Sequence, residues 1–261
     1  MKNVEALVLR AAGINCDLET VNALELAGAA AQSAHINKII ENKEMLKSCQ
    51  ILVFPGGFSY GDDIAAGKIL ANQVIHHLSD VIRRFIEDGK LVLGICNGFQ
   101  VLLKAGVLPG MLPATELPPV SITNNDIPRF YDAWVYLQPG TDKCVFINKD
   151  QRIYLPMAHG EGKVVTRTPE ILEKLKKDGH IAFRYVDKDG NTGPHPINPN
   201  GAVDSIAGMC DSTGRVLGLM PHPERFVRRT QHPHWTRMPE DLQADGMTIF
   251  NNAVSYVKNN L

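Results

Sequence analysis

Three near-continuously apolar segments, "VEALVLR" (4–10), "QILVFP" (50–55) and "KLVLGI" (90–95), are separated by stretches of helical period, and this alternation limits the fold more than any other feature. A strand that is apolar at almost every position needs cover on both faces, so the pattern predicts a parallel sheet wrapped by helices. Between the strands, "CDLETVNALELAG" reads as a helix closing at Gly28, "AQSAHI" as a further strand and "ENKEMLKSC" as a short helical segment. A long amphipathic helix is expected over Ala71–Asp88, and another directly after Cys96. Prolines and glycines make 106–121 a connecting loop.

The second half is more strand-like. "FYDAWVYL", "CVFIN", "RIYLPMAHGEGKVV", "HIAFRYVD" and "RVLGLMPHPE" are expected strands, and "KDGNTGPHPINPNGAVDS" a turn-rich excursion. The last helix is expected over "PEDLQADGMTIFNNAVSYVKNN". The expected architecture is α/β: one doubly wound, mostly parallel sheet with antiparallel strands added in the second half. Residues 1–261 are read as a single domain, with 225–261 forming a basic loop plus the C-terminal helix.

Charge and cysteine usage narrow the function. A formal net charge of −1 gives no broad cationic face for nucleic acid. No apolar run spans a membrane, and Glu5 interrupts what would be a signal core. The five cysteines, at 16, 49, 96, 144 and 210, are odd in number and contain no CxxC. That usage suits the reducing cytoplasm and offers no conventional zinc site, so no metal is expected.

Cys96 stands at a strand end in "GICNG", where an open parallel sheet gathers its ligands. G-x-C-x-G is the thiol counterpart of a nucleophile elbow, and a helix start favours thiolate over thiol. By itself the residue fits equally well as a small buried hydrophobe. A nucleophile needs a base, and among nine histidines His222 follows an apolar strand directly, in "MPHPER". His76 and His77 fall on a helix surface, and His180 and His195 in polar turns. The prolines on either side of His222 favour extended geometry, which would put Glu224 on its side as an orienting carboxylate. "VFPGGFSYGDD" is no P-loop. It is either a plain glycine turn or a backbone cradle, with the amides of Gly57 and Asn97 as donors to an oxyanion.

Taken together, "PGGFSYGD", "GICNGFQ" and "HPER" resemble the triad (class I) glutamine amidotransferases, and "GINCD", "AHGEG" and "NPNG" fit the branch serving phosphoribosylformylglycinamidine synthase. The resemblance implies a flavodoxin-like fold and hydrolysis of L-glutamine by Cys96, His222 and Glu224. It implies glutamine contacts from Gln100 and from Gly160 and Glu161. It also implies a synthetase partner subunit, with a small adaptor subunit in some assemblies, that uses ATP and Mg to convert formylglycinamide ribonucleotide to the amidine. No cofactor is implied for this chain. Relatives serving guanylate or cytidylate synthetases carry different residues around the cysteine, and a silent binding subunit on the same fold is the rival of another class. In "GINCD", Asp17 reads as a helix cap or as part of the coupling to the partner. The run Arg225, Arg228, Arg229 and Arg237 reads as a solvated loop or a docking segment.

Overall fold

The computed structural model describes residues 3–113 and 116–261. Residues 114 and 115 of the expected loop, and 1 and 2 of the expected single domain, lie outside the described residues.

The first half alternates as its periodicity requires. β1 (Glu5–Arg10), α1 (Asp17–Leu26), β2 (Ala30–His35), α2 (Ile36–Glu41), α3 (Met45–Ser48) and β3 (Ile51–Phe54) lead to a helical stretch in two parts. These are α4 (Lys68–Gln73) and α5 (Ser79–Glu87), joined by a wider π turn, so the helix expected from Ala71 begins three residues earlier. β4 (Leu91–Ile95) and α6 (Asn97–Lys104) follow.

The second half holds β5 (Val120–Asn124), β6 (Tyr131–Pro139), β7 (Ile153–His159) and β8 (Glu161–Thr166). After them come α7 (Pro169–Lys177), β9 (Ile181–Val186), β10 (Ile206–Cys210), β11 (Val216–Leu219) and α8 (Met247–Asn260). Among the described residues, nine strands form one sheet in the order β2-β1-β3-β4-β11-β10-β9-β6-β7, while β5 and β8 pair separately. The first five are parallel, in the 2-1-3-4-5 order of flavodoxin-like sheets, with β11 in fifth place. From β11 onward every pairing is antiparallel, as expected for the second half.

Position in the sheet explains each strand's composition. β3 and β4 lie in the middle and are buried at every residue. β2 lies at one edge and carries polar side chains. β7, at the other edge, alternates buried with half-buried residues and tolerates Pro156, since an edge strand can spare a ladder donor.

Several expectations fail for physical reasons. "CVFIN" is not a strand: Val145 donates to the Gly214 carbonyl (3.0 Å), and Cys144 and Phe146 plug the core from a turn. The C-terminal helix starts at Met247 rather than near Pro239. Upstream, Asp245 accepts from the Tyr154 amide (2.7 Å) and Gly246 donates to Phe226 O (3.0 Å), which holds that backbone in turns. "RIYLPMAHGEGKVV" breaks at Gly160 into β7 and β8, which join different sheets. α7 and β10 were not expected, and β5 begins inside the expected loop. Asp17 is no side-chain cap: Cys16 occupies the cap position, and Asp17 pairs with Arg10 (3.1 Å). No helix among the described residues is long and apolar enough to cross a membrane.

Candidate active site

Four parallel strands deliver the site, because their carboxyl ends share one edge of the sheet. Cys16 follows β1, Gly56 and Gly57 follow β3, Cys96 follows β4, and His222 lies just past β11. The decisive contact is the parallel pairing of β4 with β11, which sets Leu219 opposite Ile95. The Cys96 amide then donates to the Leu219 carbonyl (2.8 Å), so residues 96 and 222 become neighbours across 126 positions of sequence.

Cys96 has φ 50° and ψ −104°, a left-handed conformation that costs a non-glycine residue about 1–3 kcal/mol. The flanking glycines make this turn feasible by close packing. A Cβ at Gly94 would lie 2.6 Å from Leu102, and one at Gly98 would overlap the Phe54 carbonyl of β3. Gly98→Ala should therefore cost roughly 3 kcal/mol, since α6 must move off the sheet. A shift in the urea midpoint measures it, and an unchanged midpoint contradicts the packing.

His222 is buried, and its Nδ1 lies 2.6 Å from Glu224 Oε1. Glu224 does not reach it along an extended chain, as the sequence suggested. It sits in a 3-10 turn, Pro223–Arg225, that folds the carboxylate back. Burial pushes the His222 imidazole toward the neutral form, but the Glu224 carboxylate, aided by Cys96 and Cys16, outweighs it and holds the group well above its ordinary pKa. With Nδ1 given to Glu224, Nε2 has no hydrogen-bond partner among the described residues, and the thiols of Cys96 and Cys16 both lie close enough to the ring to support its charge.

These groups open on a cavity of about 480 Å³. Gly57, Cys96, Gln100, Gly160, Glu161 and His222 line it, while Asn97 and Glu224 are buried behind. Among the described residues no acceptor is paired with the backbone N–H of Gly57 or Asn97; the latter is a first-turn amide with no partner inside its own helix.

The Asn97 side chain joins three parts of the wall, a role its sequence gave no sign of. Its Oδ1 accepts from the Ser59 amide (3.2 Å), and its Nδ2 donates to Asp62 (3.1 Å) and to Gln100 Oε1 (2.9 Å). Gln100 in turn donates to the Glu161 carbonyl (2.6 Å), so its amide bridges the elbow to β8 as well as facing the cavity. Burial and the nearby Glu161 raise the Asp62 pKa, and Lys104, lowered by burial, lies 3.7 Å from Glu161. A second histidine, His159, also lines the cavity. Asn125 Oδ1 accepts from Gly162 N–H (3.0 Å), so His159 Nδ1, 3.1 Å away, carries its proton. Burial drives the His159 pKa down to about 3, so the ring is neutral near pH 7.

Three arginines of the basic run bond within the chain, and Arg237 is exposed. Arg225 pairs with Glu19 (2.8 Å), Arg228 donates to Asn22 (3.0 Å), and Arg229 donates to the Trp235 carbonyl while lying over its ring.

A profile of the CobB/CobQ-like glutamine amidotransferase domain matches residues 3–257. The subunit PurQ of phosphoribosylformylglycinamidine synthase from Dehalococcoides mccartyi is 46% identical over 260 residues, covering 99% of each chain. Its counterpart from Archaeoglobus fulgidus is 40% identical over 271 residues, covering 98% of each. A solved chain of PurLQS from Thermotoga maritima superposes with a TM-score of 0.74 at 28% identity, covering 98% of this chain and 100% of that one.

Proposed function

Because this chain belongs to the CobB/CobQ-like glutamine amidotransferase family, we propose that it is the glutaminase subunit of a phosphoribosylformylglycinamidine synthase, acting in the cytoplasm as one domain over 1–261. Near-complete coverage of the PurQ relatives supports the assignment. The observation that carries the chemistry is the convergence of Cys96, His222 and Glu224 at the ends of β4 and β11.

The Cys96 thiol passes its proton to His222 Nε2, and the sulfur attacks the side-chain amide carbon of L-glutamine. The resulting oxyanion sits between the N–H groups of Gly57 and Asn97, as a preorganised pair of donors requires. His222 Nε2 gives its proton to the departing nitrogen, and ammonia leaves a γ-glutamyl thioester. The imidazole then takes a proton from water, which attacks the thioester and releases glutamate. Glu224 holds the tautomer and balances the imidazolium charge. Gln100, Gly160 and Glu161 form the wall on which the glutamine rests.

Ammonia passes to the synthetase subunit, as the likeness to a chain of the solved PurLQS assembly supports, with a small adaptor subunit in some assemblies. The synthetase uses ATP and Mg to convert formylglycinamide ribonucleotide to formylglycinamidine ribonucleotide. Hydrolysis itself needs no metal or cofactor from this chain.

The test is glutamate and ammonia release by this chain mixed with its synthetase subunit, ATP and formylglycinamide ribonucleotide. Glutamate and amidine should form in equal amounts. A complex that forms amidine from added ammonia but not from glutamine would overturn the proposal.

A further inference from the structure

We infer that Arg225 is a positioning residue for the His222–Glu224 pair, acting from the first strand-to-helix loop through Glu19 and Cys16. The inference rests on the roles proposed above for His222 and Glu224.

Glu224 stands in the middle of a three-residue turn, and so short an element does not fix its own orientation. On its His222 side the turn is held by backbone: the His222 amide donates to Pro156 O (2.8 Å), and the Arg225 amide to His222 O (3.2 Å). On the other side the Phe226 amide donates to Pro223 O (3.1 Å), and the Arg225 guanidinium ties the turn to the first loop. Nε donates to Glu19 Oε1 of α1 (2.8 Å), and Nη2 donates to Cys16 Sγ (3.1 Å). A planar guanidinium holds its two donor nitrogens in a fixed fork, so both acceptors are gripped in one set geometry, whereas a lysine ammonium is a compact point charge on a flexible stem.

Cys16 completes the contact from the other direction. It is 1% exposed, and burial pushes its pKa up to about 11, so the thiol stays protonated. It donates to Asn15 Oδ1 (3.3 Å), accepts from Arg225, and lies against the His222 ring. Gly56 closes the gap: a Cβ there would stand 2.7 Å from His222 Cε1 and 3.0 Å from Cys16 Sγ. The imidazole therefore has a wall made by residues 16 and 56, and Arg225 holds Cys16 in that wall. This gives "GINCD" a purpose that neither helix capping nor partner docking supplies. The charged or titratable groups around His222 are Glu224 on its own turn, Cys96 at the elbow, Cys16 and Arg225 at the first loop, and His159 on β7.

The experiment uses the synthetase complex and compares the parent chain with Arg225→Ala, Arg225→Lys, Glu19→Gln and Glu224→Gln. Each is followed for kcat, for the glutamine KM and for the basic limb of the pH–rate profile. Arg225→Ala should lower kcat by about 10–100-fold, the scale of a misplaced catalytic group, with KM within about twofold. Its basic limb should move to lower pH, the direction expected of Glu224→Gln, because a displaced carboxylate no longer supports the imidazolium. Glu19→Gln should show the same shift in smaller degree, and Arg225→Lys should fall between it and Arg225→Ala.

A parent-like kcat and pH profile in Arg225→Ala, or a loss confined to KM, would overturn the inference while leaving the glutaminase reading in place. Should Arg225→Ala not fold, Glu19→Gln decides the matter by the same shift or its absence. If Glu224→Gln itself kept the parent profile, the failure would lie with the proposed triad.

Discussion

Cys96→Ala should reduce glutamine-dependent turnover of the synthetase complex to background, a loss of at least about 10⁴-fold, given that removing a triad nucleophile costs up to about 10⁶-fold. The size follows from geometry. Cys96 follows the central strand β4 in a left-handed turn, stands at the start of α6 and lines the cavity beside His222. Cys16 cannot replace it. That thiol lies beside the same imidazole but is kept protonated by burial and is already bonded to Arg225 and Asn15. Cys49, Cys144 and Cys210 are buried, and burial raises the first two. Ammonia-dependent amidine formation should survive in the same variant, since the synthetase chemistry lies on another chain. Glutamine-dependent activity within tenfold of the parent would refute Cys96 as nucleophile.

Glu224→Gln should lower kcat by about 10²–10⁴-fold, the range seen when an orienting carboxylate is neutralised or removed. Glu224 is fully buried, and the 2.6 Å contact to Nδ1 sets both the tautomer and the charge of His222. The pH dependence has a definite sign. Glu224 raises the His222 pKa against a burial penalty that lowers it. An amide removes the raising effect and leaves the penalty, so the imidazolium loses its proton at lower pH. The proton donor for the departing nitrogen is then lost earlier as pH rises, and the basic limb of the rate profile shifts toward acid. A pH series of initial rates checks this, and a basic limb that stays put or moves to higher pH would contradict the assigned role.

Much of this was legible in the sequence because the features were local. Fully apolar strands announce a buried parallel sheet, and glycine two positions either side of Cys96 announces a crowded turn. The same logic faltered where tertiary demands overrode local pattern. "CVFIN" has the composition of a strand, yet its apolar side chains serve as plugs, with its backbone tied to the turn between β10 and β11 at Gly214 and to α8 at Asn252. Pro239 and Leu242 resemble a helix start, but Asp245 and Gly246 are committed to β7 and to the turn after His222. The side-chain work of Asn97 and Arg225 left no periodic trace, since each joins segments far apart in the chain: 38 positions from Ser59 to Asn97, and 206 from Glu19 to Arg225.

Sequence alone determined the residue types of the reaction and the corner that presents the thiol, because both depend on neighbours within a few positions. It also determined that a carboxylate two positions past His222 could orient it. Only the tertiary structure decided that β11 returns beside β4 after four antiparallel strands have formed further out in the sheet. That pairing is a matter of which strand ladder the late chain completes, and no local preference encodes it. It brings the imidazole to the thiol, turns Glu224 inward through a 3-10 turn, and sets Arg225 against the first loop.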